Sequence, residues 1–311
     1  MHNRNRPFSC TFLGNLTGKR RLAYFLFFTL GFLLFSSGCE RPNNAPQPVI
    51  RLDHLAPLPA LLPEPDDDAL RVAVAAIMSP QGTVESYQSL ITYLQNKTGK
   101  NVILIQRKTY QETNKLLERN MVDVAFVCTG AYMSGKKDME LLVIPQIDGK
   151  TTYRSLLIVS SSSPVTDLTD LRGSVFAFTD PLSNSGYLYP LSLLHSLGEK
   201  PESFFARTIF TYSHDRSIRA VMEGLADGAA VDSIVYDFFT RRADHATKTK
   251  IIWQSSDFGM PPVVVPKSTN PLRQEELKAL FLGIGQDSEG HKVLAEMGID
   301  RFVPAHDDLY E

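Results

Sequence analysis

From Leu70 onward, short apolar runs with strand-like composition alternate with stretches of helical spacing. The run LRVAVAAI is followed by a segment in which Tyr87, Leu90 and Leu94 recur with the period of an amphipathic helix, and then by the second strand-like run, NVILIQ. The next helix-strand pair, YQETNKLLERNM and VDVAFVC, repeats the pattern. This alternation predicts βαβ units and therefore an α/β fold with a mainly parallel sheet.

The α/β pattern occurs twice. Long β-like segments, LLVIPQI and TTYRSLLIVS, interrupt it, and it begins again at SVFAFTD; another β-like segment, IIWQSS, precedes PPVVVP and a helical tail. The 43% hydrophobic content is sufficient for one or two cores. Two α/β patterns joined by paired strands predict a two-lobed clamshell around a cleft, with residues 70–157 plus 253–311 as the first lobe and 158–252 as the second.

The first 38 residues have the pattern of a targeting signal. They contain five basic residues and no acidic one, followed by the apolar run LAYFLFFTLGFLLF and by Ser-Ser-Gly before Cys39. This arrangement is typical of a secretory signal peptide, and the apolar run is short for a membrane span of about 20 residues. LFSSGC resembles a bacterial lipobox, which implies cleavage before Cys39 and attachment of a lipid to its thiol. An uncleaved anchor helix or an ordinary signal peptide are the alternatives.

Residues 39–69 are rich in proline and predict an extended tether without a core of its own. Removal of residues 1–38 leaves 27 basic against 34 acidic residues, a formal charge of −7. This balance argues against a nucleic-acid partner, which requires a basic face. Cys128 is then the one cysteine besides Cys39, so we expect no intramolecular disulfide in the folded part.

Five junctions between strands and helices carry small polar residues. In open α/β sheets, ligands bind beyond the carboxyl ends of the strands, where loops lead into helix N-termini. Ser183, Asn184 and Ser185 offer side-chain donors beside free backbone N–H groups, and Gly186 permits close approach, which is suited to an anion. The other junctions are Met78-Ser79, Cys128-Thr129-Gly130-Ala131-Tyr132, Ser213-His214-Asp215 and Val231-Asp232-Ser233.

Each of these residues also has a purely structural interpretation. Ser183 or Asn184 can serve as an ordinary helix N-cap, and Tyr132 can be an aromatic residue packed in the core. His214 can be a surface loop histidine. Asp232 can be a turn or cap residue, because a carboxylate beside an anion requires a proton on one of them or a neighbouring donor.

Together, these segments resemble one family. The ordered series VDVAFVCTGAY, DPLSNSGYLYP, YSHDRSIRAVMEGLADGAAVDS and FGMPPVVVP is similar to the substrate-binding proteins of phosphonate, phosphite and phosphate ABC transporters, over roughly residues 70 to 298. The resemblance implies a two-lobed periplasmic-binding-protein fold of type II with two hinge strands. It implies an extracytoplasmic, lipid-anchored and monomeric binding protein that needs no cofactor and passes its ligand to an ABC permease.

The resemblance also implies roles for individual residues. The segment formed by Ser183, Asn184 and Ser185 would wrap the oxyanion, and Tyr132 and His214 would donate to it from the two lobes. The implied ligand residues also include Asp232 as an acidic residue lining the cleft, Ser79 in the loop that closes over the ligand, and Thr129.

Some positions depart from the family pattern. Asn184 stands where threonine is usual, and Cys128-Thr129 stands where Gly-Pro is usual. Family members that bind aminoalkylphosphonates carry acidic residues for the ammonium group, and here Asp257 is a candidate whose orientation the sequence leaves open. The expected ligand is therefore a small oxyanion, such as phosphite, phosphate or methylphosphonate, rather than a bulky amine.

Two other functions are compatible with parts of the sequence. A clamshell of this kind can act as a ligand sensor for a signalling partner instead of a permease. An extracellular hydrolase is less favoured, because the sequence has no Gly-x-Ser-x-Gly elbow, no His-Glu-x-x-His and no paired metal-ligand cluster. Cys128 and His214 imitate a nucleophile and base in type, but nothing in the sequence places them in contact. We therefore predict a protein with no catalytic residues and no metal site.

Overall fold

The computed structural model describes residues 68–241 and 248–310. The predicted signal peptide, Cys39 and nearly all of the predicted tether lie outside these residues. No helix in the two described ranges combines the length and the apolar character needed to cross a membrane. The element order is β1 (Leu70–Val74), α1 (Pro80–Thr98), β2 (Val102–Gln106), α2 (Tyr110–Glu118), β3 (Val124–Phe126), α3 (Thr129–Gly135), β4 (Met139–Gln146), β5 (Thr152–Tyr153), β6 (Ser155–Ser160), β7 (Val175–Phe178), a π-helix (Asn184–Leu188), α4 (Tyr189–Ser196), α5 (Pro201–Phe204), β8 (Arg207–Phe210), α6 (His214–Met222), β9 (Gly228–Asp232), α7 (Ser233–Thr240), β10 (Thr249–Gln254), β11 (Phe258–Gly259), β12 (Val263–Pro266), α8 (Pro271–Leu282), α9 (Ser288–Met297) and β13 (Arg301–Pro304).

The strands form two main sheets, each the centre of one lobe. The first-lobe sheet has the order β13-β4-β12-β3-β1-β2 and the second-lobe sheet has the order β10-β6-β9-β7-β8. In each sheet three neighbouring strands are parallel, and the remaining strands pair antiparallel. Two of the five strand pairs in the first-lobe sheet and two of the four in the second-lobe sheet are parallel, so the prediction of mainly parallel pairing is wrong and both sheets are mixed. The strands β12 and β13 run opposite to the other first-lobe strands, and β6 runs opposite to the other second-lobe strands. The strands β6 and β12 are the ones that follow the segments linking the sheets, so each enters its sheet from the other lobe.

Helices cover both faces of the first-lobe sheet, because alternate strand residues point to opposite sides. Val72 and Val74 pack in one cluster with residues of α1, α8 and α9. Ala73 lies in the cluster on the other face with Leu116 and Leu117 of α2. Such burial on both faces explains why the strands of this sheet read as nearly continuous apolar runs.

The second lobe follows the same plan. Ala177 and Val231 pack with residues of α6 and α7 on one face. Phe176 and Phe178 pack with Leu194 of α4 on the other face. Each lobe therefore has its own core on either side of its sheet, as expected for a domain that can move as a rigid body.

The chain crosses between the sheets through residues 147–154 and 255–262. Each of these segments contributes one short strand, and β5 and β11 pair antiparallel between the two sheets. The strands β6 and β10, which contain Ile158 and Trp253, pair with each other inside the second-lobe sheet. The lobe boundaries at these two residues stay a prediction.

Candidate functional site

The loop after β7 turns around a buried carboxylate. Asp180 accepts hydrogen bonds from the backbone N–H of Leu182 at 2.9 Å and, from the first lobe, the backbone N–H of Tyr110 at 3.2 Å. Ser183 Oγ then accepts the N–H of Gly186 at 3.0 Å. Ser183 therefore caps the π-helix, which confirms the N-cap interpretation of this residue. Single π-helical turns occur frequently at functional sites.

The two residues after Ser183 differ in how their side chains are used. Asn184 Nδ2 donates to the hydroxyl of Tyr153 at 3.2 Å. Ser185 is fully buried, and its Oγ has no hydrogen-bond partner among the described residues. Its carbonyl accepts the hydroxyl of Ser155 at 2.6 Å, which fixes the backbone of the segment. The Ser185 hydroxyl is thus a buried donor that the described protein atoms leave unused.

Gly186 is required by the close approach of the chain to the end of β7. A β-carbon at this position would lie 2.4 Å from Thr179 Oγ1 and 2.5 Å from its Cβ. Both distances are far inside van der Waals contact, so a larger residue would displace the segment that carries Ser185. The glycine therefore positions the polar segment against the sheet.

His214 begins α6 and is a buried, neutral donor. The backbone N–H of Asp232 donates to Nδ1 at 3.1 Å, so Nδ1 carries no proton and Nε2 carries the hydrogen. Burial lowers the pKa of the imidazole to about 3. Nε2 lies 3.5 Å from Ser183 Oγ. The interpretation of His214 as a surface histidine is wrong, because only 1% of the residue is exposed.

Asp232 ends β9 and caps α7. Its Oδ1 accepts the N–H groups of Ile234 and Val235 at 2.7 and 3.3 Å, which confirms the cap interpretation. The two hydrogen bonds lower the pKa of this carboxyl, but the stronger effect of burial raises it to about 7. A carboxyl with this pKa exchanges its proton near neutral pH and can stand beside an anion in its protonated form.

The first lobe closes onto this segment through the start of α3. A β-carbon on Gly130 would lie 2.4 Å from the carbonyl oxygen of Leu182 and 3.0 Å from the N atom of Asn184. Thr129 is buried, and its Oγ1 donates to the carbonyl of Gly259 at 2.9 Å. Burial raises the pKa of the Cys128 thiol to about 11, so the thiol is protonated at neutral pH.

Tyr110 is a buried residue of this site that the sequence reasoning missed. It packs in a cluster with Cys128 and Ala131, against which Leu182 of the second lobe also packs. Its hydroxyl is buried without a hydrogen-bond partner in the described part of the chain. Burial is also the main cause that raises its pKa well above the usual value. The sequence feature that could have revealed Tyr110 is a sixth junction between a strand and a helix, Lys-Thr-Tyr after β2, where Thr109 caps α2.

We call Tyr110, Ser183, Ser185 and His214 the buried seam. Tyr110 comes from the first lobe and the other three residues come from the second. Each of the four residues offers a neutral hydroxyl or N–H group. The hydroxyls of Tyr110 and Ser185 have no hydrogen-bond partner within residues 68–241 and 248–310. Ser213 Oγ, one residue before His214, is buried in the same unpartnered state. Buried neutral donors of this kind are suited to oxygen atoms that carry negative charge.

Two predicted ligand residues use their hydroxyl groups elsewhere. Tyr132 donates to Asp307 Oδ1 at 2.8 Å and packs edge-on against Tyr310 inside the first lobe. Ser79 donates from both its N–H and its Oγ to the carboxylate of Asp215 at 2.8 and 2.5 Å. We call the pair of Ser79 and Asp215 the latch, because it joins the two lobes. A role of Tyr132 or Ser79 in ligand binding stays a prediction.

Asp257 lies at the linking segments and not in the buried seam. It is about half exposed and forms an ion pair with Arg154, whose Nε lies 2.6 Å from Oδ1. The hydrogen bond from Arg154 lowers the pKa of Asp257. In the described ranges, no group of three His, Cys, Asp or Glu side chains is arranged to hold a metal ion.

Curated proteins of related sequence bind phosphorus compounds according to their names. The chain is 25% identical over 252 residues to the phosphonates-binding periplasmic protein of Escherichia coli K12, which covers 78% of this chain and 74% of that protein. It is 29% identical over 210 residues to the phosphate-import protein PhnD of Mycolicibacterium smegmatis, which covers 63% of this chain and 65% of that protein.

Solved structures share the fold. A binding protein component of an ABC phosphonate transporter from Pseudomonas aeruginosa matches with a TM-score of 0.73 and 23% identity, over 79% of this chain and 84% of that one. PhnD1 from Prochlorococcus marinus, solved in complex with methylphosphonate, matches with a TM-score of 0.70 and 16% identity, over 78% of this chain and 95% of that one. The two-lobed periplasmic-binding-protein fold predicted from the sequence is confirmed.

The sequence model of one family, described as the periplasmic substrate-binding protein of phosphonate ABC transporters, matches residues 72–310. This range includes both lobes and every residue of the buried seam. The chain therefore belongs to the family of periplasmic substrate-binding proteins of phosphonate ABC transporters.

Proposed function

We propose that this protein captures a small phosphorus oxyanion (phosphite, phosphate or a phosphonate) at the buried seam and delivers it to an ABC permease. One observation carries the proposal: the hydroxyl groups of Tyr110 in the first lobe and of Ser185 in the second lobe are buried without a partner in the described chain. A buried donor without a hydrogen bond costs about 1–3 kcal/mol. An oxyanion that accepts from these groups removes that cost and so favours the closed arrangement of the lobes.

The seam would hold the anion mainly with neutral groups. His214 offers an N–H at Nε2 without a positive charge, since burial keeps its pKa low. The N-termini of α6 and α7 begin beside the seam, and each supplies about 0.3–1 kcal/mol of favourable interaction with an anion, up to about 2 when partly buried. Several hydrogen bonds to the charged ligand must therefore supply most of the affinity.

The relatives support a small ligand. The name of one curated relative refers to phosphonates and that of another to phosphate import, and the Prochlorococcus protein was solved with methylphosphonate. In this chain Asp257 is paired with Arg154 and half exposed, which argues against its use as a buried partner for an ammonium group. We therefore propose an oxyanion without a cationic substituent.

We also propose that the protein works outside the cytoplasm as a lipid-anchored monomer. The lipobox-like sequence before Cys39 and the proline-rich segment after it support an anchor and a tether. Labelling of cells with a clickable palmitate tests the anchor: the label should appear on the protein and disappear in Cys39→Ala. Equal labelling of both forms would rule out Cys39 as the attachment site.

We propose a binding protein rather than an enzyme. The curated relatives are named as binding or import proteins, not as enzymes. The Cys128 thiol is buried with a pKa raised to about 11, so it is a poor nucleophile at neutral pH. Cys128 and His214 therefore match a nucleophile and base in residue type only, because the thiol is protonated at neutral pH.

Isothermal titration calorimetry tests the proposed ligand class. The purified protein is titrated with phosphite, phosphate and methylphosphonate, and with sulfate and acetate as oxyanions of other classes. At least one phosphorus oxyanion should bind tightly with one site per chain, and sulfate and acetate should bind far more weakly. Folded protein that binds no phosphorus compound would overturn the proposal.

A further inference from the structure

An apolar cleft of about 120 Å³ lies between the lobes beside Asp232. The first lobe contributes Ile77 and Met78 to its walls, and the second lobe contributes Ile234 and Phe238. Asp232 is the one charged residue among the described residues that line the cleft. The cleft is therefore a space for an apolar group with a single carboxyl at its edge.

The cleft borders the buried seam, because Ile77 and Asp232 of its lining contact seam residues. Ile77 packs against the cluster that contains Tyr110 and Cys128, and its carbonyl accepts the backbone N–H of His214 at 2.9 Å. The backbone N–H of Asp232 reaches Nδ1 of the same histidine at 3.1 Å. A ligand group bound at His214 Nε2 thus lies next to residues that form a wall of the cleft.

The carboxyl of Asp232 is a poor partner for a cation in this position. Its Oδ1 already accepts two N–H groups of the first turn of α7. Burial also favours its protonated form, since the pKa is raised to about 7. The remaining lining is composed mainly of aliphatic, aromatic, methionine and proline side chains, which solvate an ammonium group badly.

We propose that this cleft is a substituent pocket, which takes the alkyl chain of an alkylphosphonate whose phosphonate group is bound at the buried seam. This inference rests on the proposed function and narrows its ligand class. An apolar cavity of about 150 Å³ accommodates benzene, so the substituent pocket has room for roughly three or four carbon atoms. Each methylene that it buries strengthens binding by about fourfold.

A pair of isosteric ligands provides the test. n-Propylphosphonate and 2-aminoethylphosphonate have the same length and differ in a terminal methyl or ammonium group. In calorimetry at pH 6.5, n-propylphosphonate should bind about 10-fold more tightly than methylphosphonate, because two more methylenes are buried. It should also bind at least about 10-fold more tightly than 2-aminoethylphosphonate, whose charge loses its hydration.

Two outcomes would overturn the inference. Weaker binding of n-propylphosphonate than of methylphosphonate would show that the cleft does not receive the chain. Tighter binding of 2-aminoethylphosphonate would show that Asp232 acts as an ammonium acceptor. Both outcomes leave the capture of a phosphorus oxyanion intact, although the second would refute the proposal of a ligand without a cationic substituent. Failure of phosphite, phosphate and all phosphonates to bind would remove the proposed function as well.

Variants of the pocket wall separate a direct contact from a structural effect. Ile234→Phe narrows the pocket and should lower the affinity for n-propylphosphonate about 10-fold, with methylphosphonate changed by less than about twofold. Phe238→Ala widens the same wall and should shift the preferred chain to a longer one. Val84→Phe, at a residue 43% exposed on α1, is the matched control and should change neither affinity. An equal loss for both ligands in Ile234→Phe and an unchanged chain-length preference in Phe238→Ala would contradict the assignment.

Discussion

Two sets of polar groups meet between the lobes, and they differ in whether their hydrogen bonds are complete. In the latch, the Asp215 carboxylate accepts both the N–H and the hydroxyl of Ser79. In the buried seam, the hydroxyls of Tyr110 and Ser185 have no partner within the described residues. Complete hydrogen bonding means that the latch stabilises closure by itself. Incomplete hydrogen bonding means that a ligand that accepts from these hydroxyls stabilises the seam further.

The two sets carry similar residue types and differ in the partner that the opposite lobe supplies. Serine next to a helix start occurs in each, at Ser79 before α1 and at Ser183 before the π-helix. A carboxylate from the opposite lobe satisfies Ser79, whereas the opposite lobe brings the phenol of Tyr110 to the seam, which is itself a donor. The residue type alone therefore does not identify a ligand site, and the partner across the cleft does.

Removal of lobe closure should have the largest effect, because it takes away the buried seam and the latch together. Gly130→Ala places a methyl group 2.4 Å from the carbonyl of Leu182 in the opposite lobe, a distance that real β-carbons do not occupy. The affinity for a phosphorus oxyanion should fall at least about 100-fold by calorimetry, since several charged hydrogen bonds of about 1.5–3 kcal/mol each are lost.

Small-angle scattering supplies the control for Gly130→Ala. The variant should remain expanded with and without ligand, whereas the wild-type protein contracts on binding. Gly285→Ala, whose added β-carbon would meet Leu294 of its own lobe at 3.4 Å, should bind normally. A Gly130→Ala protein that still closes and binds would show that the lobes do not need this close approach.

Single hydroxyls of the buried seam should have the next largest effect, and they separate the seam from the latch. Tyr110→Phe and Ser185→Ala each remove one buried donor, and each should weaken ligand binding by about 10- to 100-fold. The ligand-free protein should keep its melting temperature or gain slightly, because a buried unpaired hydroxyl is removed. A marked loss of stability without ligand would instead indicate a structural role for these hydroxyls.

A change in the latch should have a smaller effect with a different signature. Asp215→Asn removes the charge from the acceptor of two hydrogen bonds across the cleft. We expect about five- to 10-fold weaker ligand binding, seen as faster dissociation with little change in association, because the open state gains population. Stopped-flow kinetics with wild-type protein alongside checks this. An unchanged dissociation rate would contradict the role of the latch in closure.

The last expected effect is measured in stability and not in ligand affinity, and it concerns the pH dependence of unfolding at Asp232. Its pKa is raised to about 7 from an ordinary value of 3.8, so between these pH values the folded protein retains a proton that the unfolded chain has lost. This group therefore makes the protein less stable as the pH rises through that window. Asp232→Asn keeps an oxygen acceptor for the N–H groups of Ile234 and Val235 and removes the titration.

Urea unfolding at several pH values between 4 and 8 measures this effect. The free energy of unfolding of Asp232→Asn relative to wild type should increase with pH, by on the order of a few kcal/mol at about 1.4 kcal/mol per pKa unit. His214, whose pKa is lowered to about 3, changes stability in the opposite direction below pH 6.5, but equally in both proteins. Parallel pH profiles would contradict the raised pKa of Asp232.

Sequence periodicity predicts the elements of this fold well and the pairing of strands far apart in the chain poorly. The apolar runs at Leu70 and Val124 are strands, and α1 begins at Pro80 and ends before Gly99, which has a φ of 67°. The antiparallel strand β13 at the C-terminus was not predicted. Its pairing with β4 depends on a contact between residues far apart in the chain, which no local period records.

The candidate site could be predicted in part for a similar reason. Ser183, Ser185, His214 and Asp232 follow strands of one lobe, and parallel strands bring their ends to one edge of the sheet. Tyr110 was missed because an aromatic residue at a helix start usually belongs to a core. Whether its hydroxyl is satisfied is a property of the packed molecule, and it depends on the segment of the opposite lobe that covers it.

The central claim is that the unpaired donors of the buried seam bind an oxyanion. A crystal structure of the protein with methylphosphonate tests it most directly. The phosphonate oxygens should lie within about 3 Å of Tyr110 Oη, Ser185 Oγ and His214 Nε2, with both lobes closed around them. A phosphonate group bound elsewhere, with the hydroxyls of Tyr110 and Ser185 still unpaired, would contradict the account.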